Sequence, residues 1–327
     1  MKIVAVVGLS KNAGKTTFLN WYLKRCSASG TQYPVAGVTT TGRDGEDIDL
    51  VTNDKKPSVS LPRDVYFTSF EHVYSENSTS VEGVAKLPFR VIGKSLWLYK
   101  TLDCIDTEIV GPATLKEQEE LIDVFRDLGC STVLIDGSLD RRSICLSEKI
   151  TDVVLVVGAA AGNINEIREQ VLGIKYQASV PTTPYQLQLG GELIAYCLNG
   201  DIVETDIKTI YGNEDEICRL LKEKADWIYF PGAITGSSWQ KLKKGFLAFT
   251  GGIVFNHPLN IRVDLKDLSS FIAAKRLYSR MSFPLSMIAV NSYSPYNEHI
   301  DAEVLQQEIK KVFTNIKVID VTGNIHE

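Results

Sequence analysis

The chain is predicted to fold as an α/β protein: a mostly parallel sheet with helices on both faces, carrying an inserted region and a C-terminal α/β portion. Three observations predict it. Ile3 to Val7 form a short, uncharged, mostly β-branched run that breaks into a glycine-bounded loop and then into a helical pattern, as a strand buried on both faces and feeding a helix does. Further apolar runs of this kind, such as Val153–Val157 and Ser286–Val290, recur along the chain. Between them lie segments of helical period, and strands that alternate with helices build parallel sheets covered on both sides.

Taken in order, Phe18, Leu19, Tyr22 and Leu23 fall at helical spacing after the loop, and Ser27-Ala28-Ser29-Gly30 turns the chain. Val35–Thr40 is the second strand, ending in Thr41-Gly42-Arg43-Asp44-Gly45-Glu46-Asp47. Residues 47–110 are rich in turn residues, with Val65-Tyr66-Phe67 and Leu96–Tyr99 as added strands. Structureless loops of that length are rare, so the stretch is expected to be an ordered insertion or a lid beside the site. Thr107–Val110 is a strand, Leu115–Leu128 an amphipathic helix closed by Gly129, and Thr132–Ile135 a strand. Val153–Val157 is a strand followed by a helix through Ile164–Ile174, and Glu192–Glu204 a hairpin turning at Asn199-Gly200.

From about 214 the alternation restarts. Helices are expected at Glu214–Ala225, Ser238–Phe246, Leu268–Met281 and Ala302–Phe313, and strands at Trp227–Phe230, Ile253–Phe255, Ser286–Val290 and Ile316–Val321. The division expected is a nucleotide-binding domain over 1–213, with its insertion at about 47–110, and a C-terminal portion over 214–327 that either stands alone or extends the same sheet. Phe230-Pro231-Gly232-Ala233-Ile234-Thr235-Gly236 repeats the strand-turn-helix form without a lysine, as a degenerate second loop or an ordinary turn.

The loop itself reads Gly8-Leu9-Ser10-Lys11-Asn12-Ala13-Gly14-Lys15-Thr16-Thr17. Between a strand and a helix, such a loop gathers backbone N–H groups into a concavity at the positive end of the helix, where an anion is favoured. The binding set is therefore Gly8, Ser10, Lys11, Asn12, Ala13, Gly14, Lys15, Thr16 and Thr17, with a solvated loop position as the alternative for Lys11. Lys15 supplies a cation for β- and γ-phosphates, and the Thr16 hydroxyl suits Mg²⁺. A nucleotide site also needs a carboxylate at a neighbouring strand end to hold the metal. Val133-Leu134-Ile135-Asp136 has that pattern, and Asp44 after the second strand is a second candidate for the metal or the attacking water. Lys15, Asp44 and Asp136 are thus the catalytic set, and Thr16, Asp136 and Asp44 the metal set. Glu46 and Glu108 are weaker candidates, and Arg141 and Arg142 suit either a phosphate clamp or an exposed surface. Guanine readers carry Asn/Thr-Lys-x-Asp after a late strand. The nearest counterpart here, Asn291-Ser292-Tyr293-Ser294, has no Asp, so ATP with Mg²⁺ is expected.

A net charge of −5 argues against a nucleic-acid or anionic-membrane surface as the main business of the chain. No apolar stretch approaches the roughly 18 residues of a membrane span, and the initial apolar run is too short for a signal peptide. The six cysteines are scattered without a C-x-x-C pair, which suggests neither zinc nor a disulfide framework and fits a cytoplasmic protein.

The loop is one residue longer than G-x-x-x-x-G-K-[ST], because Leu9 stands where the first glycine belongs. In this it resembles the P-loop NTPase class of dethiobiotin synthetase, the cobyrinic acid amidases and the partition ATPases. The partition ATPases place a second lysine five positions before the main one. Lys11 is four before Lys15, so that lysine's role between subunits is not carried over. Gly8–Thr17 together with Asp136-Gly137-Ser138-Leu139-Asp140-Arg141-Arg142-Ser143 is similar to the P-loop subunit of reactivase systems for adenosylcobalamin-dependent lysine and ornithine aminomutases. The resemblance implies an ATP- and Mg²⁺-dependent factor that works with a MutS-like ATPase to release damaged cobalamin from the mutase. A D-x-H-x-x-G cobalamin signature is absent, and a homodimer is left open. The rival expectations are a dethiobiotin-synthetase-like ligase or small-molecule kinase, and a nucleotide-dependent scaffold with negligible turnover.

Overall fold

A computed structural model describes residues 1–28, 36–42, 58–138, 144–187, 189–190, 192–274, 276–294 and 300–322. The first half runs β1 (Lys2–Gly8), α1 (Lys15–Ala28), β2 (Ala36–Thr40), β3 (Val59–Leu61), β4 (Val65–Phe70), α2 (His72–Glu76), β5 (Val81–Val91), β6 (Lys94–Thr101), β7 (Ile105–Thr107), α3 (Leu115–Asp127), β8 (Thr132–Ser138) and β9 (Asp152–Gly158). It continues through α4 (Ile164–Ala178), β10 (Ala195–Leu198), β11 (Asp201–Glu204), α5 (Glu214–Leu220), β12 (Trp227–Phe230), α6 (Gly236–Ala248), β13 (Gly252–Phe255), α7 (Leu265–Ala273) and β14 (Leu277–Ser279). The chain ends with β15 (Leu285–Asn291), α8 (Ala302–Val312) and β16 (Lys317–Asp320).

Two compact units result: Met1–Arg168 with Pro284–Glu327, and Glu169–Phe283. The division expected from sequence, at 213/214, is therefore displaced. The last two strands return to the first unit, because β15 pairs with β9 and β16 with β15, both parallel. In sequence those strands look like any others of the C-terminal portion, and only the pairing partner distinguishes them.

The first unit is built on a nine-stranded sheet of order β16-β15-β9-β1-β8-β2-β4-β6-β5. Every neighbouring pair from β16 to β4 is parallel, and β6 is antiparallel to both β4 and β5. Helices cover both faces. Val38 of β2 shares a core with Phe18, Leu19 and Leu23 of α1, whereas a Cβ on adjacent Gly37 would strike the Phe125 ring of α3 at 2.6 Å. Successive residues of a strand point to opposite faces, so α1 and α3 lie on opposite sides.

The described part of the expected insertion is ordered and built into this sheet. β4 joins β2 in parallel, and β6 and β5 continue outward as a hairpin that closes at Ile92 and Gly93, with φ of 49° and 74°. Two positive φ values in a two-residue turn match the twist of a hairpin. Phe67, Phe70, Leu96, Leu98 and Tyr99 are buried, which drives the attachment. The strand expected at Thr107–Val110 is instead the short β7, antiparallel to β3. Beyond it, Ser69 Oγ donates to Glu108 O and Thr68 Oγ1 to Val110 O, and a single main-chain bond from Val110 N to Thr68 O joins them.

The second unit has a five-stranded sheet, β11-β10-β12-β13-β14, with β12, β13 and β14 parallel. Its hairpin turns at Asn199 and Gly200, with φ of 54° and 90°, where the sequence places it. The helix expected over Leu268–Met281 ends at Ala273, and Leu277–Ser279 form β14. Likewise the helix expected over Glu214–Ala225 ends at Leu220. Leu277 is buried as an outer strand of the sheet, a tertiary gain that no local periodicity reports. In the Pro231–Thr235 turn, Ile234 gives its N–H to Asn260 O and its carbonyl accepts Arg262 N, an isolated parallel bridge to Ile261.

Candidate functional site

β1 sits between β8 and β9 in the interior of the large sheet, with Val6 opposite Asp136 and Gly8 opposite Val156. Its residues Ile3–Val7 are all buried. Leu9 N donates to Val156 O at 2.8 Å, so the loop begins by leaning over the end of β9. Asn12 and Gly14 then take φ of 60° and 97°, left-handed conformations that curl the loop back towards α1. Ala13 is wholly buried.

Two glycines and one amide hold the curl from outside. A Cβ on Gly158, at the end of β9, would meet Ala13 O at 2.5 Å, and one on Gly14 would meet Asn291 Nδ2 at 2.1 Å. Asn291, buried at the end of β15, donates from that Nδ2 to Ala13 O at 3.3 Å. Helix α1 starts at Lys15, and its first backbone bond runs from Phe18 N to Gly14 O at 3.0 Å. The N–H groups of Lys15, Thr16 and Thr17 therefore have no carbonyl of their own helix to reach. No acidic residue lies in this first turn, so the positive helix end is not neutralised by its own sequence. Phe18 and Leu19 are buried and fix the helix on the sheet, while Lys15, Thr16 and Thr17 stay partly exposed.

The metal candidates divide. Asp136 stands on β8, in register with Val6 on one side and Thr40 on the other. One strand spacing of about 4.8 Å separates it from the strand that feeds the loop. Its main-chain oxygen accepts Thr41 N at 2.8 Å and Thr40 Oγ1 at 3.0 Å, and its Oδ1 is shielded from solvent. A shielded carboxylate oxygen one strand from the loop is the kind of donor that a hard divalent cation takes while keeping several waters. Among the described residues, no group of three or more His, Cys, Asp or Glu side chains is placed to hold a metal. Phosphate oxygens and water would have to complete the shell of any cation at Thr16 and Asp136.

Asp44 and Glu46, and likewise Arg141 and Arg142, lie outside the described residues. The chain leading to Asp44 departs beside Asp136, since Thr41 N is bonded to Asp136 O and Gly42 N to Pro112 O. Glu108 is not brought to the loop: its carbonyl is bonded to Ser69 on β4, three strands from β1 and thus about 14 Å across the sheet. Ser10, Lys11 and Asn12 lie in the loop as expected.

Sequence reading missed the supports. Gln118, buried on α3, donates both amide hydrogens, to Thr40 O at 2.7 Å and Pro112 O at 2.6 Å, clamping residues 110–113 over the end of β2. Gly111 fits there only as glycine, because a Cβ would lie 1.8 Å from Thr40 O. Gly158 and Asn291 each close an apolar strand run, but nothing in the local sequence ties them to the loop. No family model matches this chain, and no curated protein matches it. Among the described residues no helix is long and apolar enough to cross a membrane.

Proposed function

We propose that this chain is an Mg-ATP-binding P-loop NTPase that serves as the nucleotide-dependent component of a reactivation factor for a cobalamin-dependent aminomutase. The observation that carries the nucleotide part is the curled loop. Positive φ at Asn12 and Gly14, with α1 opening at Lys15, presents an unneutralised helix start beside the partly exposed Lys15 and Thr16. Backbone N–H groups of the loop and first turn would bind the phosphates, and Lys15 would lie along the β- and γ-phosphates. Thr16 and Asp136 would hold Mg²⁺, which supplies charge stabilisation at the transferring phosphoryl group. ATP is preferred because the segment after β15 lacks the acidic residue that reads guanine.

The reactivase part rests on the two strings at the loop and at Asp136, and its physical logic is modest chemistry with large motion. Gain and loss of a γ-phosphate would shift the chain between two states that bind its partners differently. A turnover assay with and without the aminomutase and a MutS-like partner tests it. Hydrolysis stimulated by the mutase is expected. Hydrolysis that requires a small acceptor instead would establish the ligase or kinase reading, and nucleotide binding without turnover under any condition a scaffold.

A further inference from the structure

We infer that Asn291 is the positioning residue of the phosphate loop, and that it acts by fixing the direction of the Gly14 N–H. This deepens the nucleotide reading above and rests on it. A peptide unit is planar and trans, so its carbonyl and the following N–H point in opposite directions. The Ala13 carbonyl and the Gly14 N–H belong to one such unit. Asn291 Nδ2 holds that carbonyl at 3.3 Å on the β15 side of the loop, which turns the Gly14 N–H away from β15.

Three further contacts leave the unit little freedom. Gly158 packs against Ala13 so closely that a Cβ there would lie 2.5 Å from Ala13 O and 2.7 Å from its Cα. Gly14 has no side chain to separate it from the Asn291 amide, and its φ of 97° is open chiefly to glycine. On its other side Asn291 Oδ1 accepts Tyr293 N at 3.3 Å, so the amide is oriented before any anion arrives. An aspartate would keep the Tyr293 bond but set an oxygen against the Ala13 carbonyl. An alanine would leave that buried carbonyl without this donor and the peptide unit held by packing alone.

The test uses tripolyphosphate, a probe that engages the loop without any base, with calorimetry on the full chain and on Asn291→Ala and Asn291→Asp. Both variants should retain the parental circular dichroism and bind tripolyphosphate about tenfold or more weakly, the scale of one buried polar group left unsatisfied. The Gly14 amide resonance, which should move downfield when the parent binds tripolyphosphate, should lose that shift in the variants. Parental affinity and an unchanged Gly14 shift in a folded variant would overturn the inference. Loss of fold in both variants would also overturn it, because Asn291 would then maintain the fold and not the loop. A parent that binds neither tripolyphosphate nor MgATP would overturn the nucleotide reading itself, a different result from a parent that binds and a variant that binds equally.

Discussion

Asp136 carries different tasks on its two sides. Its main chain bonds Thr40 and Thr41 and so locks the exit of β2, while its carboxylate, with Oδ1 shielded from water, is the group proposed above to hold a cation. Asp136→Asn keeps the first task, being isosteric, and removes the charge from the second. We expect nucleotide binding to change little and hydrolysis to fall by roughly 100-fold or more, the scale on which a charge-stabilising group acts. Steady-state turnover at limiting Mg²⁺ checks this, and equal activity of variant and parent would leave Asp136 as a strand-end residue only. The residues proposed to touch phosphate were legible because the chemistry demands their type at fixed spacing: Gly14, Lys15 and Thr16 are contiguous. Those that hold the loop were not, because Asn291 and Gly158 approach it from 278 and 145 positions away along the chain, as the pairs Ala13–Asn291 and Ala13–Gly158 show.

At the scale of elements, α6 and α7 of the second unit are joined by a compact polar cluster. Asp267 accepts Trp239 Nε1 at 2.6 Å and Lys243 Nζ at 2.5 Å, with only 12% of its side chain exposed. Those hydrogen bonds, Lys243 first and Trp239 second, hold the carboxyl below its ordinary range. A carboxyl lowered on folding adds stability that is fully present above its unfolded value, near 3.9, and is lost as pH falls through the folded value. Asp267→Asn is therefore expected to destabilise the chain by roughly 1–3 kcal/mol at neutral pH. The variant's stability should also fall less than the parent's as pH drops below about 4. Denaturant unfolding at pH 7 and at pH 3 measures both, and parallel acid profiles would contradict the account.

Elements with strong local signals were legible, and β12 lies where the apolar run Trp227–Phe230 puts it. β5 was not: Gly83, Lys86, Pro88 and Arg90 give it the composition of a loop. An edge strand with register shifts can hold such residues, since proline and glycine are tolerated where one side of the ladder is unpaired. α7 and β14 were merged into one helix because Phe271, Ile272, Leu277 and Tyr278 satisfy either period over so short a span.

For the whole molecule, alternating strands and helices made the α/β class and the mostly parallel sheet legible, whereas the unit boundary was not. Where β15 pairs is decided by what it buries against, here Val153–Val157 of β9, a run as apolar as several others in the chain, and β16 pairs with β15 in turn. The loop between β1 and α1, proposed as a site for MgATP, keeps its key side chain out of the core. Lys15 is partly exposed at a helix start, so its removal opens no core cavity. Calorimetric titration of MgATP into the parent and into Lys15→Ala, with unfolding followed in parallel, tests that proposal most directly. Saturable binding by the parent is expected, with an affinity at least about 100-fold weaker in the variant and unchanged stability without ligand. Equal affinity in the two proteins, or no binding by a folded parent, would contradict it.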